Sequence, residues 1–152
     1  MLKKMIVSMM LLTVGGNLLL WTSSVKANFN GKLTVEIDGL KNQNGLVCVS
    51  VFASSQGFPN DRQRVVSNQC SKISETPLKI TFDNLQAGSY AVAAIHDQNS
   101  DRTLNRNLIG MPTEGFGFSR NPEIRTSPPK FGDAAFFLAG PNTSIQIRLK
   151  YF

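Results

Sequence analysis

The stretch Leu78-Lys79-Ile80-Thr81-Phe82-Asp83-Asn84-Leu85-Gln86-Ala87-Gly88-Ser89-Tyr90-Ala91-Val92-Ala93-Ala94-Ile95-His96 decides the fold. Leu78, Ile80 and Phe82 alternate with Lys79 and Thr81. A period of two puts one set of side chains on one face of a strand. Asp83 to Gly88 then turns the chain. Tyr90, Val92 and Ala94 share one face of a second strand, with His96 at its end. A Tyr just after a Gly turn, at a strand start, is similar to a tyrosine corner, in which the ring is buried and its hydroxyl bonds nearby backbone. The other reading of Tyr90 is an ordinary core aromatic, and both readings are structural.

The same alternation extends in both directions. Upstream, Leu33, Val35 and Ile37 face one way, and Thr34, Glu36 and Asp38 the other. Asn42-Gln43-Asn44-Gly45 carries the Asn-Gly hairpin signal. Leu46 to Ala53 is a strand with Val47, Val49 and Val51 on one face and Leu46, Cys48, Ser50 and Phe52 on the other. Gly57, Pro59, Asn60 and Asp61 form a loop, and Arg64 to Ile73 is a weaker strand that includes Cys70. Downstream, Ala134 to Leu138 is a short strand, and Ile145, Ile147, Leu149 and Tyr151 line one face of the last. This makes an all-β chain, a single small sandwich of about seven strands with no amphipathic helix. A small closed barrel is the alternative architecture.

The first 27 residues read differently. Lys3 and Lys4 precede an apolar run from Met5 to Leu20, and Val25-Lys26-Ala27 supplies small residues three and one before a cut. That is the pattern of a secretory signal peptide cleaved after Ala27. An uncleaved anchor is the alternative, but a span needs about 20 apolar residues. No membrane span is expected once residues 1–27 are removed, and residues 28–152 form the sandwich domain. Localisation is therefore secreted or periplasmic.

Cleavage removes Lys3, Lys4 and Lys26. The 16 basic residues fall to 13 against 10 acidic ones, so the formal charge drops from +6 to +3. No Lys/Arg run survives, and a nucleic-acid surface needs a clustered basic stripe. Nucleic acid is thereby excluded as a partner. Cys48 and Cys70 are the two cysteines. An exported chain with an even count pairs them, and free buried thiols are the alternative.

Residues 97–130 break the strand pattern. Structureless segments longer than about 12–15 residues are uncommon in compact domains and are often functional. This one holds four of the seven prolines: Pro112, Pro122, Pro128 and Pro129. With Phe116 and Phe118, they predict an ordered excursion over one end of the sandwich. Its start places oxygen side chains two apart at Asp97, Asn99 and Asp101, a spacing that suits calcium. The match to the helix-loop-helix calcium signature is partial, because Arg102 stands at the glycine position and Leu108 at the glutamate position. The competing reading is an Asx-turn network in which these side chains bond backbone. Further on, Gly115 and Gly117 flank Phe116. Phe116, Phe118 and Arg120 are the candidate binding residues, and the alternative for the two rings is to plug the end of the core.

Four blocks resemble the secreted domain-of-unknown-function family 2141 over nearly the whole mature region. They are Leu85-x-x-Gly88-x-Tyr90-Ala91, His96-Asp97-x-Asn99, Gly110-x-Pro112-x-Glu114-Gly115-Phe116-Gly117-Phe118-Ser119, and Pro129-x-Phe131-x-Asp133-Ala134. The resemblance implies an exported sandwich of immunoglobulin-like or prealbumin-like type and no established activity. Family members often read Asn-Gly where this chain has Asp101-Arg102, and Leu-Asp where it has Leu104-Asn105. The second change takes a carboxylate away from a shared ion site.

Three function classes follow. The first is a non-catalytic binding or structural module that uses the 97–130 excursion, with an envelope component, a glycan or a protein as partner. The second is a small extracytoplasmic enzyme using His96 with Asp97 or Glu114 as base and acid. No nucleophile motif accompanies these residues, and strand neighbours point to opposite faces. The third is a carrier for a small apolar ligand inside the sandwich, which a domain of this size leaves little room to form. No cofactor other than calcium is suggested.

Overall fold

Alternating apolar residues form eight strands in the computed structural model, which describes residues 30–152. The signal peptide assigned to residues 1–27 lies outside the described residues. Three strands make one sheet: β1 (Asn30–Asp38), β4 (Leu78–Gln86) and β8 (Asn142–Arg148), in the order β4-β1-β8. A second sheet has the order β3-β2-β5-β6, with β2 (Leu46–Phe52), β3 (Ser67–Lys72), β5 (Gly88–Asp97) and β6 (Gly115–Phe118). A short β7 (Phe136–Leu138) pairs with the start of β5. Every pairing is antiparallel except β1 with β8, which is parallel.

The core lies between the sheets and is built from the alternation. Leu33, Val35 and Ile37 of β1 and Leu78, Ile80 and Phe82 of β4 meet Val47, Val49 and Val51 of β2 and Tyr90, Val92 and Ala94 of β5. The chain passes from one sheet to the other between β4 and β5, and there Tyr90 donates its hydroxyl to the Gln86 carbonyl at 2.7 Å. This is the tyrosine-corner bond, holding the ring at the bend. Burial raises the Tyr90 phenol pKa above its ordinary value.

Several local expectations are corrected. The Asn42–Gly45 cluster makes no hairpin, because β1 pairs with β4 and β8, and β2 lies in the other sheet. The turn is an inter-sheet crossing instead. The segment read as a strand from Arg64 begins with a single 3-10 turn, Arg62–Arg64, capped by Asp61, and pairing starts at Ser67. Ala134 belongs to a one-turn helix, α1 (Phe131–Ala134), so the strand there is only β7.

The larger correction is β6, a strand inside the excursion. Its sequence, Gly115-Phe116-Gly117-Phe118, alternates in glycine and phenylalanine rather than polar and apolar residues. The phenylalanines face outward with Ile95 and Ala93, their partners on β5. The glycines face inward, where a side chain has no room. A Cβ on Gly117 would come within 2.7 Å of Ile147 Cγ2 and 3.1 Å of the Arg148 carbonyl, and one on Gly115 would run into the Tyr151 ring. The absent side chains let the edges of the two sheets approach. Phe116 and Lys150 then exchange backbone hydrogen bonds of 3.0 and 2.8 Å. The sandwich is thus laced along one edge.

Candidate functional site

The site is built on the outer face of the larger sheet. Cys48, Ser50 and Phe52 of β2 point out there, beside Ala91, Ala93 and Ile95 of β5 and Phe116 and Phe118 of β6. Small residues in the middle and large ones at the sides leave a hollow. Two segments cover this face. The connection after β2 brings Phe58, which packs edge-on against Phe52, Phe118 and Phe131 at 5.3, 5.9 and 5.9 Å between centroids. The excursion brings Leu104 and Ile124. Together they form a second, smaller core outside the sandwich.

That core is incomplete. A trough of about 430 Å³ remains over Ser50, Ala93 and Phe118, with walls from Asn60, Arg62, Thr103 and Arg106. It continues past Leu104, Arg106 and Phe116 into an apolar basin of about 220 Å³ bounded by Met111, Pro112, Ile124 and Phe152. On its other side, beyond Arg62, a polar annex of about 210 Å³ carries Asn68, Gln69 and Arg102. No Asp or Glu lines any of these three spaces, whereas Arg62, Arg102, Arg106 and Arg125 do. They lie outside the space between the two sheets, which aliphatic side chains fill.

The excursion that walls the trough is ordered by its own polar side chains. Asp97, fully buried, accepts from the backbone N–H groups of Asp101 at 3.1 Å and Arg102 at 2.7 Å. Asn99 accepts from the Asp101 N–H at 3.2 Å and donates to the Asp101 carboxylate at 2.9 Å. Asp101 accepts from the Thr103 N–H at 2.7 Å and from the Asn105 side chain at 3.1 Å. The bonds from Asn105, then Asn99 and Thr103, with the nearby Arg62 cation, hold its carboxyl below the usual carboxylate range. Glu114 bridges the excursion, accepting from the Gln98 N–H at 2.9 Å and the Asn105 N–H at 3.0 Å.

The residues proposed for calcium are therefore brought together as an Asx-turn network. A calcium ion takes six to eight oxygen ligands, and here the side-chain oxygens of Asp97, Asn99 and Asp101 accept N–H bonds. Among the described residues no three His, Cys, Asp or Glu side chains gather in a metal-holding group. Arg102 adopts a left-handed φ of +64°, a conformation that glycine enters without steric cost. That is the position at which the resembling family often has glycine.

His96 lies at the other face of β5. It is fully buried, with Nε2 2.8 Å from the Asn44 carbonyl and Nδ1 2.7 Å from the Tyr151 hydroxyl. A carbonyl only accepts, so Nε2 carries the proton. Nδ1 then accepts from Tyr151, whose oxygen in turn accepts from the Lys41 N–H at 3.2 Å. Burial raises the Tyr151 phenol pKa, in keeping with its role as donor. His96 and Asp97 point to opposite faces and bond different partners, and His96, Asp97 and Glu114 are all absent from the trough lining.

The rings of Phe116 and Phe118 form part of the trough floor but are mostly buried against neighbouring aromatics. Arg120 is exposed, donates to the Ala135 carbonyl at 3.3 Å and lies off the trough. Cys48 and Cys70 face each other across β2 and β3 and form a disulfide beside the trough. The sequence reading missed Ser50, Asn60, Arg62 and Arg106. The outward face of β2 was its one hint of them, since Cys48, Ser50 and Phe52 alternate there without a polar partner face.

No helix among the described residues is long and apolar enough to cross a membrane. No curated protein and no solved structure matches the chain. A family model does match, over residues 35–146, which takes in both sheets, the buried His96 and the whole excursion: the chain belongs to the family described as "uncharacterized protein conserved in bacteria (DUF2141)".

Proposed function

We propose that the chain is an exported, non-catalytic binding module, released from its leader after Ala27, that holds an envelope-derived ligand in the trough between the 97–130 excursion and the outer face of the larger sheet. The observation that carries this reading is how the polar groups divide. The buried histidine and carboxylates, His96, Asp97 and Glu114, spend their hydrogen-bonding capacity on backbone and on Tyr151. The trough has no such duty. It is concave and lined by apolar side chains with a few convergent polar ones, the usual character of a ligand site. The Asx-turn network supports its wall and gives a loop-built site the stiffness that recognition needs.

The test uses protein recovered after export, with Asn28 expected as its first residue. Ser50→Trp fills the trough from the floor without touching the inter-sheet core. Envelope fractions that raise the melting temperature of the wild type are expected to leave this variant unshifted. An equal shift in both proteins places binding elsewhere. No shift in either, with all fractions tested, leaves the module a structural one.

A further inference from the structure

The trough is graded along its length. Its polar end carries Arg62 and Arg102 with the neutral groups Asn68 and Gln69, and no carboxylate. Its middle carries Arg62 and Arg106 with Asn60 and Thr103. Its far end is mostly apolar, with Met111, Pro112, Ile124 and Phe152 beside Arg125, Thr126 and Ser127. Arg106 stands at the junction, fixed by a 2.8 Å bond from its guanidinium to the Gly110 carbonyl. Two carboxylates lie nearby: Asp101, close enough to Arg62 for the charges to interact, is bonded within its own loop, and Glu123 pairs with Arg125 at 3.1 Å.

The apolar end is also open. Phe152 is 61 % exposed and Met111 38 % exposed, so an apolar body lying there would cover apolar side chains that water now wets. Guanidinium groups offer paired N–H donors that match a carboxylate or phosphate. A volume of about 430 Å³ lies within the roughly 300–1,000 Å³ typical of small-molecule sites.

We propose that the trough binds a monomeric, single-chain anionic amphiphile. The acidic head lies on Arg62 and Arg106, and the hydrocarbon body runs over Met111 and Ile124 toward Phe152. This rests on the trough being the binding site, and it adds the chemical class of the ligand. The polarity gradient is the reason for an amphiphile, because an acidic sugar would leave the far end unmatched and a plain hydrocarbon would leave the arginines facing it unpaired.

Isothermal titration of the exported protein with decanoate, 1-decanol and acetate tests the assignment. Decanoate is expected to bind at a single saturable site, 1-decanol about tenfold more weakly or worse, and acetate without detectable heat. The double variant Arg62→Gln with Arg106→Gln should weaken decanoate by about tenfold or more while leaving 1-decanol unchanged. Ile124→Ser should weaken both. Native far-UV circular dichroism and a cooperative thermal melt confirm that each variant folds. Equal binding of decanoate and 1-decanol, or no effect of the double arginine variant, overturns the proposal. If no aliphatic probe binds but Ser50→Trp still abolishes the response to envelope fractions, the ligand class is wrong and the site stands. If Ser50→Trp leaves that response intact, the site itself is wrong.

Discussion

His96 has no exposed atom, and both of its ring nitrogens are occupied. Its bonds tie the turn before β2, through the Asn44 carbonyl, to the chain after β8, through Tyr151. The sole histidine of the sequence is thus a clasp between the beginning and the end of the domain. Replacing it deprives the part-buried Asn44 carbonyl and Tyr151 hydroxyl of a partner, which costs about 1–3 kcal/mol. His96→Gln is therefore expected to lower the unfolding free energy, read from urea melts, by about 1–3 kcal/mol while ligand binding in the trough is kept. Unchanged stability together with lost function would give His96 a chemical role. Asp97 and Glu114 belong to the same class of residue, since each carboxylate replaces backbone partners that an irregular segment cannot find in a ladder. The sequence placed Asp97, Asn99 and Asp101 at the start of an unusual segment. It did not separate ion ligation from Asx-turn bonding, because both use oxygens at the same spacing and differ only in where the N–H groups point.

β6 shows how an element escapes detection. Strand signals rest on alternating polarity or on β-branched runs, and Gly-Phe-Gly-Phe has neither. The strand exists because its neighbours provide a slot that only glycine fits on the inner side and an apolar cover for the phenylalanines on the outer side. Gly117→Ala is expected to destabilise the protein by about 1–3 kcal/mol and to speed hydrogen exchange at the Phe116 and Lys150 amides, which close the sandwich edge. Gly132→Ala is the control. No atom lies within 4 Å of a Cβ there, and a surface substitution of that kind stays within about 0.5 kcal/mol. Equal effects of the two changes would mean that the close approach of β6 to the end of β8 contributes nothing. The turn after β6 is fastened too: Asn121 accepts from the Arg148 N–H at 2.8 Å and donates to the Gln146 carbonyl at 3.1 Å. One element thereby joins the excursion to both sheets.

At the scale of the whole molecule, the two tyrosines report on integrity in alkali. Tyr90 and Tyr151 both have phenol pKa values raised by burial, against about 10 in an unfolded chain. Their stabilising contribution is full below that value and is lost as pH rises through the higher folded values. The urea midpoint should hold steady up to roughly pH 9 and fall from about pH 10 upward, with phenolate absorbance appearing together with unfolding rather than before it. Asp101 behaves in the opposite sense. Its lowered pKa contributes stability above the unfolded carboxyl value of about 4, lost as pH falls toward and through the folded value. Phenolate forming well ahead of unfolding would show that the corner and the clasp are open to water. The trough is a property of this same scale, since its floor comes from one sheet, one wall from the connection after β2 and the other from the excursion.

Strand period and the pattern of residues 1–27 are local, so the sequence alone determined the all-β class, the inward faces and an expectation of export, and it offered the tyrosine corner beside an ordinary core aromatic. The Cys48–Cys70 pairing was legible as well, from an even cysteine count together with the expectation of export. Which strands sit side by side was not, because the Asn44-Gly45 signal describes a bend and says nothing of which sheet the next strand joins. The trough was not legible either. Ser50, Asn60, Arg62 and Arg106 are ordinary surface residues in sequence, and only packing brings them around one hollow. A cavity is the volume that side chains from distant segments fail to fill, so it has no signature along the chain.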